Sequence, residues 1–208
     1  MIFNPFALIN KEEVRRRVEK MRKDHPDLTN RELCELIIAR KSRFCAASGV
    51  FTALPAAVPV VGTLITLIGG TALDMAAVGY FTAEMILEMS AVYGRNLYLP
   101  KVSREALWVM ASAVGADTAN KTIGRTAVQQ MNNQFFTRML REVLVSLGIR
   151  ATQRTVLKVI PFLGAIISGS VNYYVCRKIG RIAADHYEKD TYEHWMGDTI
   201  DVEREVMD

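Results

Sequence analysis

Residues 44–73 read FCAASGVFTALPAAVPVVGTLITLIGGTAL, thirty consecutive positions without a formal charge. Pro55 and Pro59 interrupt the run, and Gly49, Gly62, Gly69 and Gly70 are scattered through it. An apolar run of this length would suit one membrane-spanning helix. Proline inside a helix removes a hydrogen bond and clashes with the preceding turn, so a single helix through the run is not expected. The expected arrangement is a helix ending between Gly49 and Ala53, a proline-containing turn, and a long helix starting near Pro59. Proline is tolerated in a first turn because its missing N–H would have no partner there. Nothing breaks the second helix before Tyr93-Gly94, where glycine suits the position just past a helix C-terminus. That helix would extend on the order of 50 Å, long enough for a hydrocarbon core of roughly 30 Å.

Asp74, Glu84 and Glu88 interrupt its second half. At helical spacing they fall within an arc of about 80°, together with Gly70 and Ala77. One narrow stripe is therefore small and acidic, and the rest of the helix is apolar. Carboxylates so placed suit a cation-binding or charge-relay line inside a bundle. The expected reading is the plainer one, a face turned to solvent or paired with arginines of a neighbouring helix. Two glutamates four residues apart are too common on helices to indicate a metal.

Upstream, Asn10 and Glu13 form a capping pair that opens a charged helix from Lys11 to about Lys23, which Pro26 ends. Thr29-Asn30-Arg31-Glu32 is a capping box, followed by Leu33, Leu36, Ile37 and Ile38 on an amphipathic helix to about Ala47. Arg40, Lys41 and Arg43 lie directly before the uncharged run. Cations there complement a helix dipole, and they also resemble the cytoplasmic flank of a membrane segment. Both readings stay open.

Downstream, Ser103 is expected to cap a helix through about Val114, and Asp117 a shorter one. Residues 134–150, QFFTRMLREVLVSLGIR, keep helical apolar spacing, with Gly148 as the expected stop. Arg138, Arg141, Arg150, Arg154 and Lys158 then lead to a second uncharged stretch, Val159–Cys176. Its opening, Ile160-Pro161-Phe162-Leu163-Gly164-Ala165-Ile166-Ile167, repeats the pattern of Val58-Pro59-Val60-Val61-Gly62-Thr63-Leu64-Ile65. Proline sets the first φ, and glycine one turn later leaves room for another backbone. Gly164 and Ser168 share a small-xxx-small spacing with Thr66 and Gly70, which favours close helix crossings. A pseudo-symmetric central pair of helices is expected, with Arg177, Lys178 and Arg181 available to the acidic stripe. No run alternates apolar and polar residues between turn signals. The fold class is all-α, a bundle around two long Pro-x-x-Gly-initiated helices. The division is 1–43 (charged and amphipathic helices), 44–190 (the helical domain) and 191–208 (an acidic tail).

Residues 73–97, LDMAAVGYFTAEMILEMSAVYGRNL, resemble the signature of EcsC-family proteins, in which an Asp begins a helix ending in Ala-x-x-Tyr-Gly. Here those residues are Asp74 and Ala91-Val92-Tyr93-Gly94. Residues 160–190 are similar as well, through Pro161-x-x-Gly164, Asn172 and Ala183-Ala184. The resemblance covers about residues 44–190. It implies a helical protein without an established catalytic activity, often membrane-associated, from a family named for a gene beside an ABC exporter. A related domain is attached to some bacterial GTPases. A transporter, or a GTPase in trans, is therefore an implied protein partner, and the family signature residues are Tyr93, Gly94 and Asn172.

Half the residues are hydrophobic and the net charge is +4. Lys and Arg outnumber Asp and Glu by eleven to seven in residues 1–43 and thirteen to seven in 44–185, while from His186 onward acids lead by eight to two. A basic body suits an anionic leaflet, and the same charges serve ordinary solubility. The basic residues are dispersed rather than interleaved with aromatics, so no nucleic-acid partner is expected. Cys34, Cys45 and Cys176 form no CxxC pattern and are expected to be reduced, packed thiols. The opening MIFNPFALINKEEV lacks the features of a secretory signal, so a cytosolic start is expected. There is no G-x-x-x-x-G-K-[ST], H-E-x-x-H, G-x-S-x-G or Glu-x-x-His. His186 and His194 flank an acidic helix end and are expected at the surface. No cofactor or metal is expected, and an enzyme would have to use Asp74, Glu84 or Glu88.

The leading expectation is a non-enzymatic membrane-associated protein on the cytoplasmic side. Pro59, Gly62, Gly69, Gly70, Pro161, Gly164 and Ser168 would serve close packing near the membrane. Arg40, Lys41, Arg43, Arg154 and Lys158 would face anionic lipid. The alternative is a soluble cytoplasmic adaptor or homo-oligomer with its apolar helices buried in protein.

Overall fold

The computed structural model describes residues 4–53, 71–115, 132–152 and 163–205, with side chains described over 4–49, 76–115, 132–147 and 169–190. Among the described residues all regular structure is helical and no strand occurs. The helices are α1 (Pro5–Leu8), α2 (Lys11–Asp24), α3 (Asn30–Ala53), α4 (Thr71–Val92), α5 (Pro100–Val114), α6 (Asn133–Thr152) and α7 (Leu163–Glu205).

Local chemistry sets most of the observed helix ends. The Asn10 side chain accepts from the Glu13 N–H at 3.1 Å and opens α2. At α3 the Thr29 hydroxyl accepts from the Glu32 N–H at 3.2 Å, while the Glu32 carboxylate accepts from the Thr29 N–H at 2.8 Å. α4 ends at Gly94, whose φ of 75° is open to glycine at little cost. There the Arg95 N–H reaches the Ser90 carbonyl and the Gly94 N–H the Ala91 carbonyl, each at 3.0 Å, so two otherwise orphaned carbonyls are satisfied.

Two expected boundaries shift. α5 begins at Pro100 rather than Ser103, because proline is preorganised for the first turn and Leu99 serves as N-cap without a side-chain bond. α6 continues through Gly148 to Thr152, since a mid-helix glycine costs only about 1 kcal/mol and burial of Met139, Val143 and Leu147 outweighs it. α7 shows no break at residue 190 and runs on to Glu205, so the expected tail begins inside a helix.

α3, α4 and α7 form the centre. α3 runs antiparallel to α4, with Arg40 against Glu88 and Phe44 stacked on Phe81 at 5.8 Å. It is also antiparallel to α7, with Arg31 at 2.5 Å from Asp185 and Ile38 against Gly180. α4 and α7 are therefore parallel, with Met85 and Cys176 sulfurs 4.0 Å apart and Tyr93 stacked on Tyr187 at 6.1 Å. Consequently α3 ends, and α4 and α7 begin, at the same end of the bundle.

α4 is buried on every side from Thr82 to Ser90, which explains why it lacks an amphipathic pattern. α1, α2, α5 and α6 surround it, and one continuous apolar core joins all seven helices among the described residues. The expected helix starts at Pro59 and Pro161 lie outside the described residues, as do Gly62, Gly69 and Gly70.

Candidate functional site

A helix buried on every side cannot turn Glu84 and Glu88 to water. Their solution is a cluster of ion pairs built by α2, α3 and α4. Glu84 and Glu88 are one turn apart on α4, and consecutive Arg40 and Lys41 on α3 reach them from one side. Lys41 Nζ bonds Glu84 and lies 3.1 Å from Glu88 Oε1. Arg40 Nη2 donates to Glu88 Oε2 at 2.6 Å. From α2, Arg17 donates to Glu84 and places its Nε 3.0 Å from Glu88 Oε1. The Glu88 side chain is fully buried and that of Lys41 is 3% exposed. A charge in such a place is costly unless paired, so each group depends on the others.

Burial alone would push the Glu84 carboxyl up. The hydrogen bond and charge of Lys41, with the charge of Arg17, outweigh it and hold Glu84 below the ordinary value. Burial likewise acts against the Arg17 cation, and Glu88 and Glu84 more than offset it.

This geometry corrects one expectation and resolves another. Lys41 does not face lipid: it is buried, and its charge is spent on Glu84 and Glu88. Arg40 is about one-third exposed and also tied to Glu88. Arg43 is exposed on the same helix. Within the stripe, Glu84 and Glu88 pair with Arg17, Arg40 and Lys41 rather than with the cations of α7. Arg177 instead bonds the Tyr173 hydroxyl at 2.8 Å, and Lys178 and Arg181 are exposed. The cause is register. α7 meets α4 through Met85, Cys176 and Gly180, which turns the glutamates toward α3.

Arg17 carries a readable signal that is easy to miss. It lies three residues after Val14 and beside Val18, both buried, so it occupies the inward stripe of α2.

The other singled-out residues have separate settings. Tyr93 is half-buried against Tyr187, and burial pushes its hydroxyl up to about 12. Asn172 is buried within the bundle. His186 is half-buried rather than fully at the surface, 3.1 Å from Glu105 and beside Trp108. All three cysteines are buried and free, and burial pushes Cys34 up to about 12. The side chains of Asp74, Gly164, Ser168 and His194 lie outside the described residues, as do Arg154 and Lys158 entirely. Among the described residues no group of three or more His, Cys, Asp or Glu could hold a metal ion. No helix among them is long and apolar enough to cross a membrane. Comparison with family models, curated proteins and solved structures gives no match.

Proposed function

We propose that this chain is a non-enzymatic helical protein of the EcsC type that attaches by one end to the cytoplasmic leaflet of a membrane. The observation that carries the reading is the shared end of the central helices. The described part of α3 runs to Ala53, and those of α4 and α7 run from Thr71 and from Leu163, all at that end. The uncharged sequence 54–70 joins the first two, and Val159–Phe162 leads into the third. Nearby surface chemistry supports it. Phe44 is 48% exposed where it stacks on Phe81, Tyr174 is 67% exposed at a similar level of α7, and Arg43 lies beside Phe44. Aromatic rings with a neighbouring cation suit a membrane–water boundary with anionic lipid. The sequences at 73–97 and 160–190 add the resemblance to EcsC proteins, and with it an exporter or a GTPase in trans as a protein partner.

The buried ion pairs fit a structural role in this reading, fixing α2 and α3 on α4. Vesicle flotation tests the attachment. The protein is expected to float with anionic vesicles, and a Leu64→Asp, Leu67→Asp variant to stay at the bottom. A monodisperse protein that ignores vesicles would reject it. The exposed Phe44 and Tyr174 also favour a second reading, a soluble adaptor in which another copy covers them. Light scattering without lipid would then report a stable oligomer.

A further inference from the structure

Between α2 and α3 lies a groove of about 440 Å³ lined by cationic and apolar side chains. Arg17, Lys20 and Met21 contribute from α2 and Leu36 and Arg40 from α3, with His25 just past the end of α2. The volume is in the range of small-molecule sites. Asp24 is the carboxylate on its wall. Arg17, Arg40 and Lys41 face Glu84 and Glu88, three cations against two carboxylates. Counting Lys20 and Asp24 leaves the same single positive excess. Glu13, which approaches Arg17 at 3.9 Å, is matched by its own bond to Arg16.

The two arginines have a particular geometry. Arg17 is held by Glu84 and Glu88 and Arg40 by Glu88, and each stays about one-third exposed. A guanidinium has five N–H donors in a rigid fork, so one or two bonds to glutamate do not exhaust it. Anchoring the head group in advance removes part of the ordering cost of binding an anion. Leu36 is a large apolar side chain left 41% exposed in the same groove.

We propose that this groove binds a phosphate monoester, with Arg17, Lys20 and Arg40 on the phosphate oxygens and the organic part against Met21 and Leu36. Three cationic side chains match three terminal oxygens better than the two of a carboxylate. Arg40 lies roughly 20 Å along α3 from Ala53. It is one turn from Phe44 and marks the membrane side of the groove, which runs from it toward Asp24 and His25 at the turn between α2 and α3, and this favours a soluble ester over a lipid headgroup. The proposal does not depend on membrane attachment.

The test is calorimetric titration of the full chain with phenyl phosphate, with benzoate at matched ionic strength as control, and with phosphatidic acid vesicles in a separate arm. Saturable binding of phenyl phosphate, weakened about fivefold by Lys20→Gln, is the expected result. Lys20 is exposed and stands outside the buried ion pairs, so this variant folds irrespective of the proposal. Arg40→Gln, checked for helicity by circular dichroism, should weaken binding further. Binding of the vesicles alone, lost in Lys20→Gln, would assign the same groove to a lipid phosphate. Benzoate binding as well as phenyl phosphate, phenyl phosphate binding unchanged in Lys20→Gln, or no phenyl phosphate binding together with vesicle binding that is absent or insensitive to Lys20→Gln would overturn the proposal. A Leu64→Asp, Leu67→Asp variant should keep phenyl phosphate binding, which separates this result from the vesicle result above.

Discussion

Lys41 shows how burial changes the meaning of a residue. In the sequence it belongs to a basic triplet before an apolar run. In the fold it is 3% exposed and holds two glutamates of the central helix. Replacing it by Met should cost about 3–5 kcal/mol, because two buried carboxylates lose a partner. Adding Glu84→Leu should restore part of that loss, since it removes one of the orphaned charges. Urea midpoints of the single and double variants check both. Glu84 also predicts an acid response. Its folded-state value lies below the unfolded one, of about 4.3. Its contribution to stability is complete above that value and is lost as pH falls through the depressed one. Glu84→Gln should therefore be less stable than wild type near neutrality and show a shallower loss below about pH 4, as read from urea midpoints against pH. The pair Glu84 and Glu88 was legible as a stripe because helical spacing is a local property. Their partners were not, because choosing α3 over α7 depends on how helices distant in sequence dock.

Among the helices, Gly180 marks a close approach of α7 to α3 and α4. A Cβ placed there would lie 2.7 Å from Ile38 Cγ1 and 3.0 Å from Met85 Sδ. Gly180→Ala should therefore push α7 off α3 and cost about 1–3 kcal/mol. Ile38→Ala in that background should relieve the clash, so the double variant should be less destabilised than the two single losses added together. Gly94 is a different case. No atom lies within 4 Å of a Cβ there, but its φ of 75° makes Gly94→Ala cost about 1 kcal/mol through backbone strain alone. Thermal unfolding of both variants separates the mechanisms, because only the first is rescued by a smaller neighbour. Gly94 was readable in the sequence, as were Asn10, Thr29 and Glu32, since caps are built from residues three or four apart. Gly148 was misleading for the opposite reason. Its intrinsic tendency to end a helix is weak and tertiary packing overrode it.

For the whole molecule, the all-α architecture followed from periodicity, and the shared end of α3, α4 and α7 followed only from their directions in the fold. The sequence shows two uncharged stretches a hundred residues apart. It does not show that the helices next to them start and stop together, because strand-like or helical spacing carries no information on docking. The groove between α2 and α3 was hidden for the same reason, its arginines belonging to separate helices.

Attachment of that end to a membrane can be measured directly, because the native thiols are buried. A single cysteine can be placed at exposed Phe44 near the shared end, or at exposed Asp27 in the turn between α2 and α3 at the other end. Each variant is labelled with a polarity-sensitive dye and mixed with anionic vesicles. A blue shift is expected for the label at Phe44→Cys and none for the label at Asp27→Cys. A shift at Asp27→Cys alone, or no shift at either position, would contradict it.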